Sequence, residues 1–168
     1  MEIWDLYDKY GQATGETVLR GEPIPDGRYH IVCEVLLRHR DGDYLLMRRD
    51  RNKKPHPGAW EATAGGSALP GEDAFACIRR ELREETGLEG EDFQRVAYHV
   101  FDDSHCLFSS FIACTDSDKQ SVRLQAGETE DYRWLTEEAF IAFLRAGEAI
   151  KWQQKRYERC FRELGYLE

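Results

Sequence analysis

Three glutamates, Glu81, Glu84 and Glu85, lie close together in the stretch GSALPGEDAFACIRRELREETGL, residues 66–88. Carboxylates at that spacing suit one of two tasks. They can bind a hard divalent cation through oxygen, or they can pair with arginines in a surface network. The direction they face decides between these. On a helix of about 100° per residue with Glu81 at zero, Ala74, Ile78, Leu82 and Phe75 spread an apolar arc from roughly 20° to roughly 120°. Glu85 falls inside that arc, Glu81 at its edge, and Glu84 about 60° to the other side. A solvated acidic face would lie opposite the apolar stripe. Glu81 and Glu85 are therefore expected to point into the protein body or a cleft. Like charges at i,i+4 repel, and half-buried carboxylates cost several kcal/mol unless compensated. A divalent cation would offset both costs, and so would an ion-pair cluster with Arg79, Arg80 and Arg83. Spacing alone leaves the two open.

The surrounding elements follow from periodicity and turn residues. YHIVCEVLLR (29–38) reads as a buried strand, Asp41-Gly42 as a hairpin turn and YLLMRR (44–49) as the return strand. A basic, proline-punctuated loop follows (50–58), then WEATAGG (60–66) as one short strand ending in glycines. The acidic segment is predicted helical over 72–86, with Gly87 as its left-handed stop. Two further strands are expected near 93–101 and 106–114, a last one over 130–135, and helices over 137–145 and near 149–164. In the final helix Ile150, Tyr157, Phe161 and Leu164 share a face. Residues 1–28 carry turn signals at Tyr10-Gly11 and Thr14-Gly15, and read as a short hairpin or entry segment of the same domain, which residues 29–168 complete. Strands and helices alternate without a strict βαβ repeat. This predicts an α+β or α/β layered domain around a mixed sheet.

Composition bounds the function. The chain has 168 residues, about one domain. With 41% hydrophobic residues and 12% aromatics it can bury a core. Net charge is −9, from 23 basic and 32 acidic residues. That argues against general binding to nucleic acid or an anionic membrane. An anionic substrate would need a local cation, and carboxylate-held metal is the natural source. No apolar run nears the ~18 residues of a membrane helix, and the acidic, aromatic N-terminus does not resemble a signal peptide. Cys33, Cys77, Cys106, Cys114 and Cys160 are odd in number, widely spaced and without a CxxC pair. They read as small hydrophobes in a reduced, cytoplasmic protein.

The acidic helix also carries a family pattern. The signature G-x5-E-x7-R-E-U-x-E-E-x-G-U, with U aliphatic, is met by Gly66, Glu72, Arg80, Glu81, Leu82, Glu84, Glu85, Gly87 and Leu88. On those residues the chain resembles the Nudix hydrolases. More loosely, the strand pair and the PGAWE and ETEDYRWL stretches resemble them too. The resemblance implies an α/β/α sandwich with a mixed sheet and the signature as a loop–helix–loop. It implies Mg²⁺ or Mn²⁺ held by Glu81, Glu84 and Glu85, and cleavage of a nucleoside-diphosphate-linked or related small molecule. Arg80 would orient the carboxylates through an ion pair with Glu72. Gly66 would permit a tight strand-to-loop exit. Glu84 is the first candidate to take the proton of the attacking water. Glu128, before the last strand, is the second; an exposed loop acid is its alternative.

Beside the signature, RRDRNKK (48–54) places a local positive charge near the expected site mouth. Arg49, Arg51 or Lys54 is expected to meet substrate phosphates, Arg49 foremost because it ends a strand; the alternative is a solvated hairpin exit. His30, His39, His56, His99 and His105 show no metal spacing and read as structural. Lys151, Lys155, Arg156, Arg159 and Arg162 read as a solvated helix face, and Trp60 and Trp134 as core residues. Two other functions stay in view. One is a ligand sensor of the same fold that does no chemistry. The other is an activity like isopentenyl-diphosphate isomerase, which the lead segment and KKPHPGAWEAT resemble. Against the isomerase, its cysteine and histidine positions are Gly65 and Ser67 here. A homodimer is open.

Overall fold

The computed structural model describes residues 2–168. Nine strands and three α-helices follow in the order β1 (Ile3–Tyr7), β2 (Ala13–Leu19), β3 (His30–His39), β4 (Tyr44–Arg49), β5 (Trp60–Glu61), β6 (Ala64–Ser67), α1 (Ala74–Thr86), β7 (Glu91–Phe101), β8 (Cys106–Thr115), β9 (Thr129–Leu135), α2 (Glu137–Arg145) and α3 (Lys151–Glu163). The main sheet runs β5-β4-β3-β8-β7, with β6 on β3 and β9 on β4. β3 and β8 are parallel and the other pairs antiparallel, which makes the sheet mixed.

Helices cover both faces of this sheet. The period-two alternation of β3 and β4 sends Val35, Leu37, Leu45 and Met47 to one face, where they pack on Cys77, Ile78 and Leu82 of α1. Leu36, Tyr44 and Leu46 go to the other, against Phe140, Phe143 and Leu144 of α2 and Tyr157 and Phe161 of α3. Strands with both faces covered read as continuous apolar runs, as these do.

Several elements depart from the sequence reading. The WEATAGG segment is two strands, not one. β5 pairs with β4, and the chain then crosses to pair with β3 as β6. Thr63, buried at the crossing, accepts from Leu37 N (2.8 Å) and donates to Leu45 O (2.7 Å), supplying by side chain the bonds the ladder loses there. Thr14-Gly15 is no turn but lies within β2. α1 starts at Ala74 because Asp73 caps it, accepting from Ala76 N at 2.8 Å. Leu164 lies past the end of α3 and is exposed, so it leaves the apolar face. Arg156 is not solvated: it is buried and forms an ion pair with Glu34 of β3, which Ser110 and Gln153 also bond.

Candidate active site

α1 lies over the end of β6, and two adjoining glycines let its acids come close. Gly66 is not a tight exit: it pairs in register with Cys33 inside β6. Its lack of a side chain matters for another reason. A Cβ there would stand 2.2 Å from Oε1 of Glu81, in the space that carboxylate occupies. At Gly65 the backbone N–H donates to Glu85 (3.3 Å). Gly87 has φ 72° and ends the helix, its N–H bonding to Arg83 O.

The three acids differ in environment. Glu84 is half exposed, while the side chain of Glu81 is only 14% exposed. Burial raises the pKa of Glu81. Glu85 is pushed up to about 8, first by burial and then by the negative charges of Glu81 and Glu61. Arg80 is the hub of the cluster. Its Nε and Nη2 grip both oxygens of Glu72 (2.8 and 2.9 Å), and Nη2 also reaches Ser67 O (3.0 Å). Its Nη1 donates to Glu81 (2.8 Å) and Glu84 (3.0 Å). These bonds, to Glu72 foremost, hold the guanidinium pKa above its usual value. The other two candidate arginines stay outside: Arg83 pairs with Glu89 at the surface and Arg79 lies over Phe93.

Two adjoining clefts open beside these acids and share Lys53, Gly65, Gly66, Glu85 and Glu128 as walls. One, of about 170 Å³, extends over Arg49 and Glu61 toward Trp152 and Arg156. The other, of about 230 Å³, runs past Arg80, Glu81 and Glu84 toward Glu2 and Arg20.

The basic loop is only partly in place. Arg49 ends β4 as expected and lines the first cleft, but it is already engaged. Its Nη1 binds both oxygens of Glu61 (2.9 and 3.0 Å) and its Nε binds Pro55 O (3.0 Å). Arg51 points to solvent and meets Glu130 at 3.2 Å. Lys54 is exposed and lines neither cleft. The lysine at the site is Lys53, paired with Glu128, and burial lowers its pKa. A loop without periodicity gives no sign of which lysine turns inward. Sequence reasoning also missed Glu61, Glu34 and Arg156. The signal for Glu34 was present, as an acid inside the apolar run IVCEVLL.

The acids near the clefts suit a hard cation in type, their donors being oxygen, and Glu85 is half-buried with one backbone donor and like charges beside it. As the side chains stand, Glu81 and Glu84 turn to Arg80, and among the described residues no three His, Cys, Asp or Glu side chains are gathered to hold a metal. Ligation by all three acids requires Glu81 and Glu84 to release Arg80, which Glu72 and Ser67 would still retain.

A mixed sheet between helices, with this acid helix laid on a glycine pair, defines the Nudix class. Residues 28–159 match the NUDIX domain family model. The chain belongs to the Nudix family and is a Nudix hydrolase whose substrate is unassigned. It is similar to an uncharacterized Nudix hydrolase of Listeria monocytogenes, 33% identical over 157 residues, 89% of each chain. A Deinococcus radiodurans crystal structure covers 93% of this chain and 99% of its own at TM-score 0.68 and 23% identity, a likeness of fold. An isopentenyl-diphosphate Delta-isomerase of Corynebacterium diphtheriae is 29% identical over 97 residues, 58% of this chain and 53% of its own. No helix among the described residues is long and apolar enough to cross a membrane.

Proposed function

We propose that the protein hydrolyses a diphosphate bond in a nucleoside-diphosphate-linked or related small molecule, with Mg²⁺ or Mn²⁺ held by Glu81, Glu84 and Glu85. The observation that carries this reading is Glu85. A carboxylate half-buried beside Glu81 and Glu61, with one 3.3 Å backbone donor and a lysine, Lys53, that pairs with Glu128 instead, suits a cation as its working partner. When bound, the metal would offset phosphate charge and acidify a water.

The chain's own residues supply the rest. Arg80, anchored by Glu72 and Ser67 O, stays beside the acids as a fixed positive charge and returns to Glu81 and Glu84 when the site empties. An oxygen of Glu84 or Glu128 accepts the proton of the attacking water as the bond from phosphorus to the bridging oxygen breaks. Glu84 is half exposed and beside the second cleft. Glu128 is occupied by Lys53, and substrate phosphate competing for that lysine would release it. Arg49 acts mainly by holding Glu61 in the first cleft's wall.

The isomerase reading finds less support in the residues. At position 65 even a Cβ would meet Cys33 O at 2.7 Å, so this backbone has no room for a cysteine there. The nearby Cys33 thiol is buried, turned to Ala74 O, and raised in pKa. The test is a panel of nucleoside diphosphate sugars, dinucleoside polyphosphates, nucleoside triphosphates, coenzyme A and prenyl diphosphates, scored for phosphate release. Turnover should require Mg²⁺ or Mn²⁺, stop with EDTA, and fall by a factor of ~10² or more in Glu81→Gln. Ligand binding with no turnover of any member would favour a sensor. Deuterium uptake into isopentenyl diphosphate without hydrolysis would favour an isomerase.

A further inference from the structure

The N-terminal hairpin lies outside the matched family domain, yet it forms one wall of the second cleft. β1 and β2 pair only with each other, apart from a bridge between Tyr7 and Tyr29. Side-chain contacts of Asp5 and Trp4 seat them on the body, and one of Thr14 holds them together. Asp5 accepts from Gly71 N (2.7 Å) in the loop that enters α1. Trp4 stacks on His30 of β3 at 4.0 Å and 8°. Thr14 ties the two strands by donating to Leu6 O (2.8 Å). So held, the hairpin brings both its ends, Glu2 and Arg20, to the cleft that Glu81, Glu84 and Glu85 also line.

The cations lining this cleft are unequal. Arg80 is spent on Glu72, Ser67, Glu81 and Glu84, and Lys53 is paired with Glu128. Arg20 bonds by one nitrogen to Glu2 (2.7 Å), and its side chain is 65% exposed. Among the described residues it is the cation of this cleft with most of its guanidinium donors unspent. A planar fork of N–H donors matches phosphate oxygens better than an ammonium does.

We propose that Arg20 is a phosphate-binding arm of the active site, carried by the hairpin, which takes a substrate phosphate group lying in the second cleft while Glu2 holds the arm when no substrate is bound. The ligand class is a di- or polyphosphate. The substrate role rests on the hydrolase reading above; the binding role does not. Glu2 also accepts from the Trp4 indole (2.6 Å), which aims it and keeps the arm's resting place defined.

The probe is inorganic pyrophosphate, measured by calorimetry on the full chain with and without Mg²⁺, beside steady-state kinetics on any panel substrate that turns over. Arg20→Ala should weaken pyrophosphate at least about tenfold and raise KM with kcat nearly kept, since a charged bond to phosphate is lost. Arg20→Lys should recover part of the affinity. Glu2→Gln keeps the acceptor for Trp4 but frees the arm, and should tighten binding. Arg20 is exposed, so its variants should melt with the parent. Unchanged pyrophosphate affinity in Arg20→Ala would overturn the proposal, as would equal weakening in Glu2→Gln. If pyrophosphate binding depends on Arg20 while nothing is hydrolysed, the arm stands and the hydrolase reading fails. If hydrolysis proceeds with KM and pyrophosphate affinity indifferent to Arg20, the reverse holds.

Discussion

Adjacent glycines at 65 and 66 should respond to alanine in opposite ways. Neither has a left-handed φ, so alanine suits the backbone at both, and only the surroundings differ. At Gly66 the new Cβ would stand 2.2 Å from Oε1 and 2.4 Å from Cδ of Glu81. Real Cβ contacts essentially never fall below 3.0 Å, so the carboxylate must retreat by about 0.8 Å. What moves is the far end of a flexible side chain, which turning its torsions allows at low cost to the fold. The site loses more: a misplacement of about 1 Å in a working group can cost a factor of ~10². Gly66→Ala should therefore melt within a few degrees of the parent while kcat falls at least about a hundredfold.

At Gly65 the obstacle is backbone. The added Cβ would meet Cys33 O at 2.7 Å and Glu34 Cα at 3.2 Å. No side chain can yield, so β6 must part from β3, where Glu34 and Gly65 are in register. Overpacking of this kind costs about 1–3 kcal/mol. For a chain this long that is roughly 2–4 °C in Tm per kcal/mol. The assays are thermal melting and kcat on one turned-over substrate. Gly66→Ala with activity within threefold of the parent would refute the claim that this glycine exists to seat Glu81. So would a Gly65→Ala protein as stable as the parent, for the backbone argument.

Arg156→Ala should strand Glu34 in the core with only Ser110 and Gln153 as donors, at a cost of about 3 kcal/mol read from urea unfolding; Arg156→Ala combined with Glu34→Gln should recover part of it. Arg49→Ala should lower stability as well as affinity, because it leaves Glu61 half-buried without its partner; an effect on KM alone would show that Arg49 is a free phosphate ligand after all. His30 is buried against Trp4 with Nδ1 unpartnered, and burial lowers its pKa to about 4. A histidine kept neutral in the fold binds more protons when unfolded, so its contribution is complete above about pH 6.5 and is lost as pH falls from there toward 4, by up to about 3 kcal/mol. His30→Phe should flatten that part of the Tm-against-pH curve, and an identical slope in parent and variant would refute the assignment.

What the sequence disclosed follows from which signals are periodic. The strands β3 and β4, the three helices and the inward turn of Glu81 and Glu85 all rest on repeating patterns, and the structure has them within a few residues. The crossing at Thr63 is not periodic. A short strand that changes partner reads like one that keeps it, because the hydroxyl replacing the ladder bonds is one residue with no pattern around it. The same limit explains the basic loop. Its net charge was evident, but which of Arg51, Lys53 and Lys54 faces the acids depends on loop geometry, and Lys53 is the one that does. Arg156 escapes a sequence reading for a related reason. On α3 it stands among Lys151, Lys155, Arg159 and Arg162, but its helical position falls about 60° past theirs, at the edge of the buried face, and its burial makes sense only with Glu34, a residue 122 positions earlier in the chain. Neither residue suits its place alone: an acid inside an apolar strand and an arginine on a helix face resolve each other. A lone acid in an apolar run is thus a signal that a distant cation must be found for it. Applied to Glu61 the rule finds Arg49. Glu85 is a different case, an acid on the apolar side of a charged helix: Arg80 bonds Glu72, Glu81 and Glu84 and Lys53 bonds Glu128, so neither cation is hydrogen-bonded to it, and that leaves it a place for a cation from outside the chain.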